Sequence, residues 1–198
     1  LGNLFSEMQG YLTGDITLSG PFNTLGVTGK GRLRKAGLRV NFTQCFYWIN
    51  DTDISLTPTE INLNGLVLTD KITGNPIYLT GGIEHESFKN MFYNLDISTR
   101  KPGTRKPLND QADINNRPVQ LINTTIKDNK QFYGNVKGTA SLSLLGPQSD
   151  MFMKIDAVAS EKDSSYITLP PPSSRESGNA DFLVERKYGR EMVAADVK

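Results

Sequence analysis

One cysteine, one histidine and one tryptophan are spread over 198 residues, and no run approaches the roughly 18 apolar residues that a membrane-spanning helix needs. The lone Cys45 excludes an internal disulfide framework, so stability has to come from strand pairing and burial. His85 as the only histidine leaves little for general acid–base or metal chemistry. The zinc, nucleotide and dinucleotide signatures are absent too: there is no CxxC, no HExxH, no Walker loop and no GxGxxG after a strand. Charge of one sign is also lacking. With 22 Lys and Arg against 21 Asp and Glu the net charge is +1, so bulk electrostatics draws the chain neither to nucleic acid nor to an anionic membrane.

What is present is β-structure. Eighteen glycines, abundant Thr and Asn, and short aliphatic alternations describe an all-β chain rich in turns. The length suits one domain or two, and a single β-rich segment is favoured, with a core over about 11–158 and a loop, short strand and tail over 159–198. The chain opens at Leu1 with neither a basic n-region nor an apolar h-region, which suggests a piece cut from a longer polypeptide.

The clearest segment is 132–147, FYGNVKGTASLSLLGP. At period two, Phe132, Gly134, Val136, Gly138, Ala140, Leu142 and Leu144 share one face, while Tyr133, Asn135, Lys137, Thr139, Ser141 and Ser143 share the other. That is a long half-buried strand. Gly14-Asp15-Ile16-Thr17-Leu18-Ser19-Gly20-Pro21 echoes its second half, a weak repeat signal that suggests a stack of similar strands. Leu12, Gly14, Ile16 and Leu18 form the first such row after an ambiguous 1–9, where Leu1, Leu4, Phe5 and Met8 stand at helical spacing. Leu38, Val40 and Phe42 lead into the aromatic cluster Cys45–Trp48, which reads as core. Ile61, Leu63, Gly65 and Val67 read as one strand face, with Leu66 and Leu68 behind it. Ile77, Leu79, Gly81 and Ile83 form the next row, and Met91 to Ile97 the one after. A long loop over 99–116 precedes Val119 and Leu121; Met151, Met153, Ile155 and Ala157 form the hairpin partner of the long strand. After the brief strand 166–169, Phe182 and Val184 suggest a last short strand, and 185–198 a frayed or helical tail.

Candidate chemistry is sparse. Cys45 and His85 could pair as nucleophile and base, yet no nucleophile signature surrounds Cys45, and a structural cysteine is the better reading. Asp51 with Asp53, and Glu84 with Glu86, read as solvated charges in the absence of a loop of oxygen ligands. Lys30, Arg32 and Arg34 are the only basic row. They fit contact with phosphate headgroups or an acidic partner, or else a solvated face guarding a strand edge, and the solvated reading is the ordinary one.

Asn129 to Pro147, followed by Thr168-Leu169-Pro170, resembles the TamB family of translocation and assembly proteins of diderm bacteria. Leu79-Thr80-Gly81-Gly82-Ile83-Glu84-His85 with Phe88 and Leu95-Asp96-Ile97 is similar to the passage that precedes that block in the family, so the likeness covers roughly 60–170. The resemblance implies membership of the AsmA-like bridge proteins, whose sheet curls into a long open half-pipe, the β-taco, with an aliphatic inner face. It implies a periplasmic location with an inner-membrane anchor outside this segment, any membrane contact lying in such outside parts. Phospholipid and a BamA-like outer-membrane barrel are the implied partners. No catalytic residue or cofactor comes with it. On that reading lipid contact falls to Leu12, Ile16, Leu18, Leu63, Val67, Leu79, Ile83, Val136, Leu142 and Leu144, and headgroup or partner contact to Lys30, Arg32 and Arg34. An ordinary sandwich core would also keep these rows free of charge, so a structural or adhesive β-solenoid or sandwich that binds protein or glycan stays open beside the lipid groove. An enzymatic reading is the weakest, for want of a site.

Overall fold

The computed structural model describes residues 5–22, 24–87, 89–147 and 149–170, together with the backbone of 185–187 and 190–192. Its strands in chain order are β1 (Phe5–Ser19), β2 (Gly26–Val40), β3 (Cys45–Ile49), β4 (Thr52–Leu56), β5 (Glu60–Asn62), β6 (Val67–Asp70) and β7 (Pro76–Glu86). They continue with β8 (Lys89–Ser98), β9 (Val119–Thr124), β10 (Tyr133–Pro147), β11 (Phe152–Ala159), β12 (Tyr166–Thr168), β13 (Glu185–Lys187) and β14 (Arg190–Met192). The described residues contain no helix, and every pairing is antiparallel.

The first twelve strands form one sheet within the unit Leu1–Thr168. Its logic is a meander of eight passes. β3 and β4 pair consecutively along β2, with Val40 opposite Cys45 at one end and Gly29 opposite Leu56 at the other, so they act as one interrupted strand. β5 with β6, β8 with β9, and β11 with β12 line up in the same way. The passes are therefore β1, β2, β3–β4, β5–β6, β7, β8–β9, β10 and β11–β12. The second unit, Leu169–Lys198, contains the β13–β14 hairpin.

The interruptions fall in one band across the sheet. Glu7 and Gly10 in β1 and Lys35 in β2 take positive φ (48°, 140° and 49°). Asn50 and Asp51 separate β3 from β4, and Gly65 at φ 78° lies between β5 and β6. Gly81 at φ 101° bends β7, while the segments 99–118 and 160–165 are inserted into the sixth and eighth passes. Such bulges bend a strand and sharpen its twist. They also change which parity faces inward: in β2 the exposed row Thr28, Lys30, Arg32 and Arg34 ends at Lys35, and Ala36 is buried. The freed amides find side-chain partners on the neighbouring pass. Lys35 N donates to Asp51 Oδ1 at 3.1 Å, Gly81 N to Asn64 Oδ1 at 2.7 Å, and Ala140 N to Thr99 Oγ1 at 3.0 Å.

On one side of the band the sheet closes on itself. β9 pairs with β10, and across its other side Asn123 N donates to Thr43 O at 2.8 Å, Tyr47 Oη donates to Gln120 O at 2.8 Å, and Gln120 N donates to Asp70 Oδ2 at 2.9 Å. These bonds surround the packed cluster Cys45, Tyr47, Ile77 and Val119, with Val40, Leu68, Ile97 and Leu121 against it. The inserted segment 99–118 is tied down by Asn116, whose side-chain amide donates to the carbonyls of Pro107, Leu108 and Asp110. It is an ordered clip.

Three expectations change. Residues 5–9 belong to β1, because pairing of Phe5 with Val40 and Ser6 with Arg39 outweighs the helical spacing there. The 61–67 row is not one strand: the left-handed turn at Gly65 resets the period, so Leu63 lies between β5 and β6, and Val67, opposite Tyr78, points away from the face of Ile77 and Leu79. Leu68, opposite Ile77, takes the inward place. In the tail, 185–187 and 190–192 pair as strands rather than helix; Phe182 and Val184 lie outside the described residues.

Thr99 is 2% exposed and caps the Ala140 amide while lying 3.1 Å from Asn116 Oδ1. Thr99→Val should therefore cost about 1–3 kcal/mol, the penalty for unsatisfied buried polar groups, measured by urea unfolding, and Thr99→Ser should recover most of it.

Candidate functional site

Directly paired residues project to the same side of a sheet, so register alone traces the apolar face. One line runs Ile155, Leu142, Ile97, Leu79, and the next runs Met153, Leu144, Leu95, Gly81. A third passes from Tyr93 through Ile83, Ile61 and Leu56 to Gly29 and Ile16. Residues from the first pass to the last thus share one apolar face. Beside the last line, Gly14 faces Gly31; a Cβ built on Gly31 would meet Leu12 Cδ1 at 2.6 Å, so glycine lets the Leu12 side chain lie flat on β2. The one carboxylate on this face is Asp70, opposite Tyr47, with its oxygens engaged by Gln120 N, Thr73 and Ile72 N.

Burial is graded along that face. Leu79 and Leu95 in the fifth and sixth passes are 7–8% exposed, as is Val136 on the seventh, beside β9. On the outermost passes Leu12, Ile16 and Leu18 are 46%, 48% and 61% exposed, and Met153 and Ile155 are 53% and 60%. Ile83, Leu142 and Leu144 are half-buried between these limits. Among the expected lipid-contact residues, Leu12, Ile16, Leu18, Leu79, Ile83, Val136, Leu142 and Leu144 share this face, whereas Leu63 sits in a turn and Val67 on the opposite side.

The basic row lies on the polar face of β2. Lys30, Arg32 and Arg34 are all exposed, as the alternation anticipates. Acids stand beside them: Arg32 pairs with Asp53 at 3.2 Å, and Lys30 is opposite Asp15 on β1. The row is charge-mixed. Asp51, read as a solvated charge, is exposed and also accepts from the Lys35 amide.

Cys45 and His85 do not form a pair. Cys45 is packed near Ile77 at the start of β7, while His85 is near the other end, roughly 26 Å along the strand at 3.3 Å per residue. Burial pushes the Cys45 thiol up to about 11, and hydrogen bonds with Thr43 and Tyr47 pull only weakly the other way. Of the aromatic cluster, Cys45 and Tyr47 enter the core, whereas Phe46 and Trp48 stack edge to face at 5.0 Å on the other side, with Lys71 Nζ over the Phe46 ring. The sequence reading assigned no buried or site role to Asp70, Asn116 or Gln120, all of which are buried. Asp70-Lys71-Ile72-Thr73-Gly74 carries a recognisable side-chain turn signal, with Asp70 accepting from Thr73 N at 3.0 Å; Gln120 has none.

Two outcomes follow from these placements. At pH 8 a thiol reagent should leave Cys45 unlabelled in the folded protein and react at the rate of a free thiol in denaturant, because the buried thiol stays protonated. Replacing Lys30, Arg32 and Arg34 together with Gln should change unfolding free energy by no more than about 1 kcal/mol, since exposed ion pairs contribute little. Vesicle flotation of that variant at low salt then separates a headgroup-binding row, whose loss lowers binding, from a merely solvated one.

Comparison with known proteins finds no family model, no curated protein and no solved structure that matches this chain.

Proposed function

We propose that the described sheet is a section of a trough for phospholipid acyl chains, creased along its band of bulges into a half-pipe with the aliphatic face inside. The observation that carries this reading is the apolar face itself, which crosses all eight passes, roughly 34 Å at 4.8 Å per pass, and ends at both edges in exposed leucine, isoleucine and methionine. Each acyl CH₂ moved from water onto such a surface gains about 0.8 kcal/mol, so a charge-free row guides a chain without a dedicated residue for each carbon. The resemblance to the TamB family supports the same reading. It extends it to a periplasmic polypeptide anchored in the inner membrane that serves lipid transport and outer-membrane protein assembly with a BamA-like barrel.

A second reading has its own observation. Leu79, Leu95 and Val136 are buried by neighbouring side chains, as in a closed core, and a structural or adhesive β-domain needs nothing more. Leu142 separates the two, because it is half-buried in mid-row between Ile97 and Ile155. In a trough, Leu142→Asp keeps its carboxylate in reach of water: the protein stays folded by circular dichroism and loses co-purifying phospholipid in mass spectra. In a closed core the same change buries an uncompensated charge and abolishes soluble expression. A photo-crosslinking residue at 142 should label phospholipid and one at Ser141, on the other face, should not. Equal labelling at both, or none at either, removes the lipid path.

A further inference from the structure

Among the described residues the sheet has two outer edges with no further strand on them; the only side chain bonded to the β11 end is Gln111, whose Nε2 donates to the carbonyls of Val158 and Ala159, beyond the 154–157 stretch. β1 pairs only with β2, and β11 only with β10. From Tyr11 to Ser19 β1 keeps unbroken register with β2, and it carries no proline, no lysine and no charge on the apolar face. β11 pairs with β10 without a bulge, also lacks proline, and directs Lys154 and Asp156 to the polar face. Proteins that stay apart usually block such edges with proline, a bulge or charge; of these β11 has only Lys154 and Asp156, which pair with each other at 3.3 Å. Both edges also carry the most exposed part of the apolar face.

The echo between β1 and β10 indicates what belongs on the β1 edge. Aligned on Gly20-Pro21 and Gly146-Pro147, Leu18 corresponds to Leu144, Thr17 to Ser143 and Ile16 to Leu142. In β10 this stretch has a neighbour on each side: its hairpin partner β11, and β8. Among the described residues β1 has its hairpin partner β2 and no counterpart of β8. β8 offers Asn94-Leu95-Asp96-Ile97, with Leu95 opposite Leu144, Ile97 opposite Leu142, and the Asp96 carboxylate accepting from the Ser143 hydroxyl. β11 carries the same order of side chains in Lys154-Ile155-Asp156-Ala157.

We propose that β11 of one copy adds to the free edge of β1 of a second copy, antiparallel, with Leu18 opposite Ile155, Thr17 opposite Asp156 and Ile16 opposite Ala157. Thr17 then donates to Asp156 as Ser143 donates to Asp96, and the exposed leucine and isoleucine side chains of the two edges cover one another. An even number of antiparallel passes makes the last pass of one copy antiparallel to the first of the next when both apolar faces are on the same side. The contact is accordingly head-to-tail and repeats, giving open-ended assemblies and not closed dimers. It stands on main-chain edges and side-chain order, independently of whether the apolar face carries lipid.

The test uses delipidated full chain. Leu18→Cys protein mixed with Ile155→Cys protein and mildly oxidised should give a disulfide heterodimer. Leu12→Cys mixed with Ile155→Cys, six residues out of register, should give at least tenfold less. Light scattering of the unmodified protein should show mass rising with concentration, and Ile16→Lys with Leu18→Lys should return it to monomer with an unchanged circular dichroism spectrum. A unmodified protein that stays monomeric at every concentration and yields no Leu18–Ile155 disulfide overturns the proposal. So does cross-linking of Leu18→Cys with itself at equal yield, which would mean a symmetric β1–β1 contact. Because no readout involves lipid, failure here and failure of lipid labelling are distinguishable.

Discussion

The band of bulges is the constraint on which the rest of the sheet depends. A flat antiparallel meander of this length would expose one entire apolar face; breaks or left-handed residues interrupt every pass but β10 within one band, and such irregularities bend a strand and sharpen its twist. At three places the band frees an amide, exposed at Lys35 and Gly81 and part-buried at Ala140, where leaving it unpaired would cost about as much as a lost hydrogen bond. Asp51, Asn64 and Thr99 supply the missing acceptors from the adjacent pass. The bends are thus fixed by polar side chains whose own strands bend beside them, which keeps the band in line.

The two sides of that band have different fates. Where β9 crosses to Thr43, Tyr47 and Asp70, the sheet encloses a small buried apolar cluster and places a fully engaged carboxylate beside it. A buried charge is tolerated only when it is well hydrogen-bonded, and Asp70 meets that condition through main-chain and hydroxyl donors. Away from this cluster the apolar face is progressively uncovered toward β1 and β11. That gradient gives the molecule two kinds of apolar surface: one that packs against itself, and one at the edges that stays exposed.

The polar face of β2 shows how a local pattern changes meaning once neighbours are known. Lys30, Arg32 and Arg34 form a basic row in isolation, yet Asp15 and Asp53 from the flanking passes interleave with it. Opposite charges side by side on a sheet reduce the field that such a row presents to solvent.

Period-two alternation determined much of this protein by itself. The strands β1, β7, β8, β10 and β11, the apolar sides of their rows, and the hairpin between β10 and β11 were all legible, because alternation on a half-buried strand is a direct consequence of its pleat. Local pattern misread residues 61–67, since a single left-handed residue, Gly65, exchanges the two faces, and no periodicity survives such a reset. It also missed that β9 continues the line of β8 across an inserted clip, because their common partner β10 follows both in the chain. Asp70 and Gln120 are fifty positions apart and meet only when the sheet curls, so tertiary structure alone decided which part of the apolar face became core and which remained exposed. Alternation specifies a side for each residue; what lies opposite that side depends on long-range closure that no local spacing encodes.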